Sequence, residues 1–168
     1  MARKAKPKIT ADLFGKPLDS AKRQPLKERV KTMRKMVVID FETTGVPTEE
    51  DPQALCEIAY TVIERDEEGP AGVWRVLDTF SMLVDPGRTM PAEAMAIHHI
   101  TEEDLQGAAP PDVGVLKLVQ QHPDAWVAHR ADFEKHFFKG GDIPWLDTYK
   151  IALRLFPNAD NHQNQYLR

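Results

Sequence analysis

The chain has 168 residues, one cysteine (Cys56) and a formal net charge of −4. That length suggests one domain with room for a sizeable core, and the lone thiol excludes an internal disulfide and suits a reducing cytoplasm. No run approaches the roughly 18 apolar residues that a membrane helix needs, and no apolar signal-peptide core follows the basic N-terminus.

Charge is divided unevenly. Residues 1–35 hold 12 Lys or Arg against 3 acids, a net of +9, and the remainder holds 10 basic and 23 acidic residues, a net of −13. The basic, aromatic-poor lead-in 1–35 predicts a disordered tail, or a frayed helix over Leu26–Met33. Such a tail either attracts nucleic-acid phosphates or is simply solvated.

The folded part, 36–168, begins with the apolar run Met36 to Ile39, which leads into Asp40-Phe41-Glu42 and the turn residues Thr43-Thr44-Gly45. An apolar run closed by a turn signal predicts a buried strand. Ala54–Arg65 predicts a second strand, with Cys56 in its apolar run as a buried thiol. Val73–Val84 predicts a third, after a turn at Asp66–Gly72, so the first three elements form an antiparallel meander. Two short helices are expected at Pro91–Ile97 and Thr101–Leu105. Thr101 is the N-cap of the second and Asp104 stands at its capping-box position. Pro110–Gln121 shows Val113, Leu116 and Val119 at helical spacing. Ala125–Ala128 is a short apolar strand, Asp132–Lys139 a helix ended by Gly140-Gly141, Ile143–Leu146 a last strand, and Asp147–Phe156 a helix stopped by Pro157. Three antiparallel strands followed by alternating helices and strands predict a mixed α/β sheet of the ribonuclease-H-like kind.

Asp40 and Glu42 carry the first chemical signal. Residues i and i+2 of a strand share a face, so both carboxylates project together from its end. Adjacent carboxylates repel one another and resist burial unless a cation neutralises them, and a hard, oxygen-seeking ion such as Mg²⁺ or Mn²⁺ suits them. The alternative is an ordinary strand end with two solvated acids.

Four blocks extend that signal. Val37-Val38-Ile39-Asp40-Phe41-Glu42-Thr43-Thr44-Gly45 resembles the first motif of the DEDD (DnaQ-like) 3′–5′ exonucleases. Asp85-Pro86-Gly87-Arg88-Thr89-Met90-Pro91 with Ala96-Ile97-His98-His99-Ile100-Thr101 is similar to the loop and helix that lie beside the substrate's 3′ end in that family. Trp126-Val127-Ala128-His129-Arg130-Ala131-Asp132-Phe133-Glu134 resembles the second motif, and Leu146-Asp147-Thr148-Tyr149-Lys150 through Pro157 resembles the helix after it. The closing His162 to Leu167 is similar to exonuclease X-like members. Together the blocks cover about residues 36–168, in family order.

The resemblance implies a metal-dependent 3′–5′ exonuclease. It hydrolyses the terminal phosphodiester of DNA, with a single-stranded 3′ end as the expected substrate, using two Mg²⁺ or Mn²⁺ ions about 4 Å apart. By position, Asp40 bridges both ions, Glu42 binds one and helps orient the water, and Glu134 binds the other. Thr43, Thr44, His98 and Phe133 are the implied contacts to the terminal nucleotide. The sequence departs from the family pattern twice. Arg130 stands where Asn is usual and Glu134 where Asp is usual. Arg130 then pairs either with a phosphate or with Glu134 on the next turn. The third motif, a His or Tyr with an Asp after it, and one or two covering helices are expected beyond Leu167. His162 is a poor replacement, since no acid follows it. His129 reads as a structural hydrogen-bonding residue, and His99, His122 and His136 as solvated. The alternatives to a DNA exonuclease are an exoribonuclease and a non-catalytic nucleic-acid-binding module on the same fold.

In the tail, Thr10-Ala11-Asp12-Leu13-Phe14 resembles the short Gln-x-x-Leu-Phe peptides that engage bacterial sliding clamps, with Thr10 in place of Gln. The Leu13-Phe14 pair would be the anchor.

Overall fold

The computed structural model describes residues 32–67 and 72–166. The basic tail, the Thr10–Phe14 segment and most of the expected Leu26–Met33 helix lie outside them. Arg34–Arg168 forms one compact unit.

Five strands make a single sheet in the order β3-β2-β1-β4-β5. Strands β1 (Lys35–Thr43), β2 (Leu55–Arg65) and β3 (Trp74–Leu83) form the expected antiparallel meander, while β4 (Ala125–Ala128) and β5 (Trp145–Asp147) join β1 in parallel. The helices are α1 (Ala92–His98), α2 (Pro111–Val119), α3 (Glu134–Phe137) and α4 (Thr148–Leu155), with a 3₁₀ turn at Asn164–Tyr166. This is the mixed α/β, ribonuclease-H-like arrangement.

Strand periodicity decides which face is which. Val37, Ile39 and Phe41 are buried and register against Val62, Tyr60 and Ile58 of β2, which are buried too. Leu118 of α2, Trp126 of β4 and Phe138 close over them. Each such side chain contributes roughly 1.5–3 kcal/mol by leaving water. Gly114 lets α2 approach β2 closely, because a Cβ there would lie 2.7 Å from Ile58 Cδ1. Asp40 and Glu42 fall on the opposite face, opposite Ala59 and Glu57. The β1–β2 register shifts at Glu42/Thr43, after which Thr43 pairs with Leu55 and Thr44 N donates to Ala54 O at 2.9 Å.

Trp126 fixes β4 from below. Its indole N–H donates to Gly140 O at 2.9 Å, and its ring meets the edge of Phe138 at 5.0 Å. Gly140 has φ +71°, and a Cβ on it would lie 2.5 Å from the Trp126 ring, so the position accepts only glycine.

Three elements differ from the sequence expectation. Thr101–Leu105 is a run of turns, not a helix. The capping box forms, with Thr101 N donating to Asp104 Oδ2 at 2.8 Å and Asp104 N to Thr101 Oγ1 at 3.3 Å. Gly107, at φ +76°, ends the segment before a helix can propagate past its costly first turn. The expected helix Asp132–Lys139 shrinks to α3, because Arg130 to Phe133 form a tight turn and Phe138 becomes extended to reach the core. Finally, β5 begins two residues later and ends one residue later than the expected Ile143–Leu146, so Asp147 is both its last residue and the N-cap of α4.

Candidate active site

The carboxylates gather where β1, β2 and α3 meet. Burial is the main reason the Asp40 carboxyl sits above its ordinary range; Glu57 adds to it and the His129 ring opposes it. Glu42 is raised by burial first, then by Asp40 and Glu57. Glu57 was not singled out in the sequence. The antiparallel register places it directly opposite Glu42, where Ser81 Oγ donates to its Oε1. Only a known register reveals such a neighbour, because nothing local to Cys56–Ile58 marks it.

Glu134 reaches this group from α3. It is 3% exposed, and its Oε2 has no hydrogen-bond partner. Burial pushes its carboxyl up to about 7, with Asp40 and Asp147 adding to the rise and a backbone hydrogen bond opposing it. A carboxylate in that setting is neutralised either by a proton or by a cation.

The turn that aims Glu134 is pinned by Asp147. Its Oδ1 accepts from Tyr149 N at 3.0 Å, Lys150 N at 3.2 Å and Arg130 N at 3.2 Å. Burial would raise the Asp147 carboxyl, but the backbone N–H groups of Lys150 and Arg130 and the Lys150 ammonium hold it below its ordinary value. Arg130 has φ +71°, a conformation that suits Asn far better than Arg. Its guanidinium lies 4.7 Å from the centre of the Tyr149 ring, so the pairing with Glu134 that the sequence left open is not the one formed. Asp132 is exposed and tied to Lys150 at 2.6 Å and Lys135 at 3.3 Å.

Beside the acids lies a cavity of about 200 Å³. Glu42, Thr43 and Gly45 form one wall, and Ala94, Ile97 and His98 of α1 form another. Phe133 and Val46 complete the lining. Three of the four nucleotide contacts expected from the sequence therefore meet in one place. The fourth does not. Thr44 is 2% exposed, and its hydroxyl donates to Gln53 Oε1 at 2.7 Å and accepts from Ala54 N at 3.0 Å, which fastens the loop. His98 Nδ1 accepts from Ile100 N at 3.1 Å, so its Nε2–H donates, to Cys56 Sγ at 3.9 Å. Burial pushes that thiol up to about 12, which leaves it inert. His162 is engaged with Phe156 O at 2.8 Å.

Among the described residues, no three His, Cys, Asp or Glu side chains already close on a single point. The donor chemistry nevertheless fits a hard divalent ion. The donors are carboxylate oxygens, two of them raised by burial and crowding, and a third has a buried oxygen without a donor.

An exonuclease family model, RNase_T, matches residues 37–168. The chain belongs to this DnaQ-like exonuclease family. A DNA polymerase III subunit epsilon-like protein of Rhodobacter capsulatus is 33% identical over 162 residues, covering 90% of this chain and 21% of that protein. A PolC-type DNA polymerase III of Lacticaseibacillus paracasei is 30% identical over 138 residues, covering 76% of this chain and 9% of the polymerase. The exonuclease domain thus spans a small fraction of the curated relatives it matches. Among solved structures, exonuclease X in complex with 5′ overhanging duplex DNA aligns with a TM-score of 0.62 at 27% identity, covering 79% of this chain and 70% of that one. Cell-death related nuclease 4 shares the fold, with a TM-score of 0.55 at 16% identity over 77% of this chain and 50% of that one. No helix among the described residues is long and apolar enough to cross a membrane.

Proposed function

We propose that this exonuclease domain removes nucleotides from the 3′ end of DNA, with Asp40, Glu42 and Glu134 as the residues that hold two Mg²⁺ or Mn²⁺ ions. The observation that carries the reading is the buried, unpartnered Oε2 of Glu134 within electrostatic reach of Asp40, while Glu42, whose carboxyl Asp40 raises, lines a cavity of about 200 Å³. When bound, the ions supply the activated water and the charge that stabilises the departing 3′ oxygen.

The chain's own residues do the rest. Asp40 projects from the end of a strand fixed on both sides by ladder hydrogen bonds, so its position is rigid. Glu42 faces both the acid group and the cavity, and so links the ions to the terminal nucleotide. Phe133, Ala94 and Ile97 give the cavity an aromatic and apolar lining against which the terminal nucleotide would pack. Glu134 is one methylene longer than the usual Asp, and its placement at the start of a short helix lets the extra length reach inward. Without cations the acid group repels a phosphate, so binding of the scissile end and binding of the ions reinforce one another.

Single-stranded DNA as the substrate, and docking to a sliding clamp through Thr10–Phe14, extend the proposal. A peptide spanning Pro7–Pro17, titrated against clamp protein by fluorescence anisotropy, tests the docking. Binding must be lost in a Leu13→Ala/Phe14→Ala peptide.

The function itself is tested with 5′-labelled DNA and RNA oligonucleotides of one sequence, single- and double-stranded. The proposal predicts a ladder of DNA products shortened from the 3′ end, dependent on Mg²⁺ and lost in Asp40→Ala. Preference for RNA would make the domain an exoribonuclease. Binding without cleavage, unchanged by Asp40→Ala, would make it a non-catalytic module.

A further inference from the structure

His129, at the end of β4, carries a feature that the carboxylate scheme does not use. Its Nδ1 lies 3.0 Å from Thr148 Oγ1, and that hydroxyl donates to Ala128 O at 3.3 Å. A hydroxyl has one proton to give. With that proton committed to the carbonyl, the Thr148 oxygen accepts from the ring, and in the neutral imidazole the proton sits on Nδ1. Nε2 then presents a lone pair. It is buried and has no partner. The edge-on packing of the ring against Tyr149, centroids 5.5 Å apart at 89°, holds its plane.

The Nε2 lone pair and, in the ionised carboxylate, the Glu134 Oε2 are therefore two buried acceptors without donors. The His129 ring lowers the Asp40 carboxyl and Asp40 raises that of Glu134, so both side chains lie within electrostatic reach of Asp40. Acceptors cannot satisfy one another. Most buried polar atoms are paired, and an orphan at a site of this kind marks a missing water or ion. An ion's coordinated water is a strong donor because the ion polarises its O–H bonds. Histidines that ligate a cation directly usually have the other ring nitrogen tied in this way, which fixes tautomer and ring orientation, and the Thr148 contact gives His129 the same constraint.

We infer that His129 Nε2 accepts a hydrogen bond from a water in the coordination shell of the ion at Asp40, and that Thr148 sets the ring tautomer for that role. This rests on the ion site proposed above. His129 is then a positioning residue, orienting one water of the shell and favouring ions that retain water, as Mg²⁺ does.

The test uses the full chain, with Mg²⁺ titrated by calorimetry into the wild type, His129→Ala, Thr148→Val and the double variant, and imidazole ¹⁵N spectra recorded with and without Mg²⁺. Circular dichroism confirms that each variant is folded, and Thr148→Val, which preserves shape, carries the test if His129→Ala does not fold. The expected result is the Nδ1–H tautomer in the wild type, a shift of His129 Nε2 on adding Mg²⁺, and about tenfold weaker binding in each single variant. The double variant should be no weaker than the singles, since both remove the same interaction. Unchanged affinity in folded single variants, or a proton on Nε2, would overturn the role of His129. Failure of the wild type to take up Mg²⁺ would instead overturn the ion site itself.

Discussion

Glu134, on the helix after β4, is buried within electrostatic reach of Asp40, which is itself exposed on β1; desolvation by the surrounding chain is the first cause that holds both carboxyls above their ordinary ranges. Two acids from separate elements are brought together against their own repulsion. The pair stores unfavourable energy that a proton or a cation releases, and the first predictions follow from that.

The Glu134 carboxyl rises from 4.5 to about 7 in the folded chain. A raised carboxyl binds its proton more tightly in the folded state than in the unfolded one. The contribution of Glu134 to ion-free stability is therefore fullest below about 4.5 and falls as pH rises to about 7, by roughly 3 kcal/mol at 1.36 kcal/mol per pH unit. Glu134→Gln should flatten that slope and raise the ion-free melting temperature near neutral pH. Thermal melts across pH 4 to 8 check it. The same proton must leave when an ion binds, so Mg²⁺ affinity should weaken as pH drops below 7, and Glu134→Asp should retain activity that Glu134→Gln loses.

Replacing Asp40 by Asn removes a charge that burial and Glu57 already disfavour. The variant should melt at a higher temperature than the wild type without ions and gain less on adding Mg²⁺. Its nuclease activity should fall below about a hundredth of wild type if Asp40 holds the ions as proposed, since losing such a carboxylate would cost several kcal/mol at the transition state.

Asp147→Ala removes the N-cap of α4 and the acceptor for Arg130 N together. The cap alone is worth about 1 kcal/mol. Loss of the Arg130 contact should further loosen the turn that aims Glu134, so activity should fall by more than stability explains. Asp147→Asn keeps an acceptor oxygen and should recover most of both. Urea denaturation and initial rates on one preparation separate the two effects.

Much of this was legible in residue order, and the exceptions have physical causes. The period-2 alternation of Val37 to Glu42 is enough to place Asp40 and Glu42 on one face and the core on the other. Ala125–Ala128 is readable because a short apolar run between turn residues has few other solutions. Glu57 is invisible without the β1–β2 register, a non-local quantity that the bulge after Glu42 also alters. The capping box at Thr101 and Asp104 is real, yet the helix it announces is absent, because a cap nucleates and does not propagate. Thr44 illustrates the reverse. Its place in the motif suggests substrate contact, but the return of the loop to Ala54 absorbs its hydroxyl. The engagement of Arg130 with Tyr149 instead of Glu134 depends on a left-handed backbone that sequence spacing does not reveal.

Gly140→Ala should be among the most damaging small substitutions. The added methyl meets Trp126 and Trp145 ring atoms at 2.5 and 2.8 Å, and alanine resists φ +71°. A loss of about 2–4 kcal/mol is expected by urea denaturation, whereas Gly141→Ala, with nothing within 4 Å, should cost about 1 kcal/mol from its backbone conformation alone.

The central claim is that Asp40, Glu42 and Glu134 together hold divalent ions at the 3′ end of DNA. Counting bound Mn²⁺ by electron paramagnetic resonance, with a short single-stranded DNA present, tests it most directly. Two ions per wild-type chain, and at least one fewer in each of Asp40→Ala, Glu42→Gln and Glu134→Gln, is the predicted result. The same count in the wild type and in all three variants would contradict it.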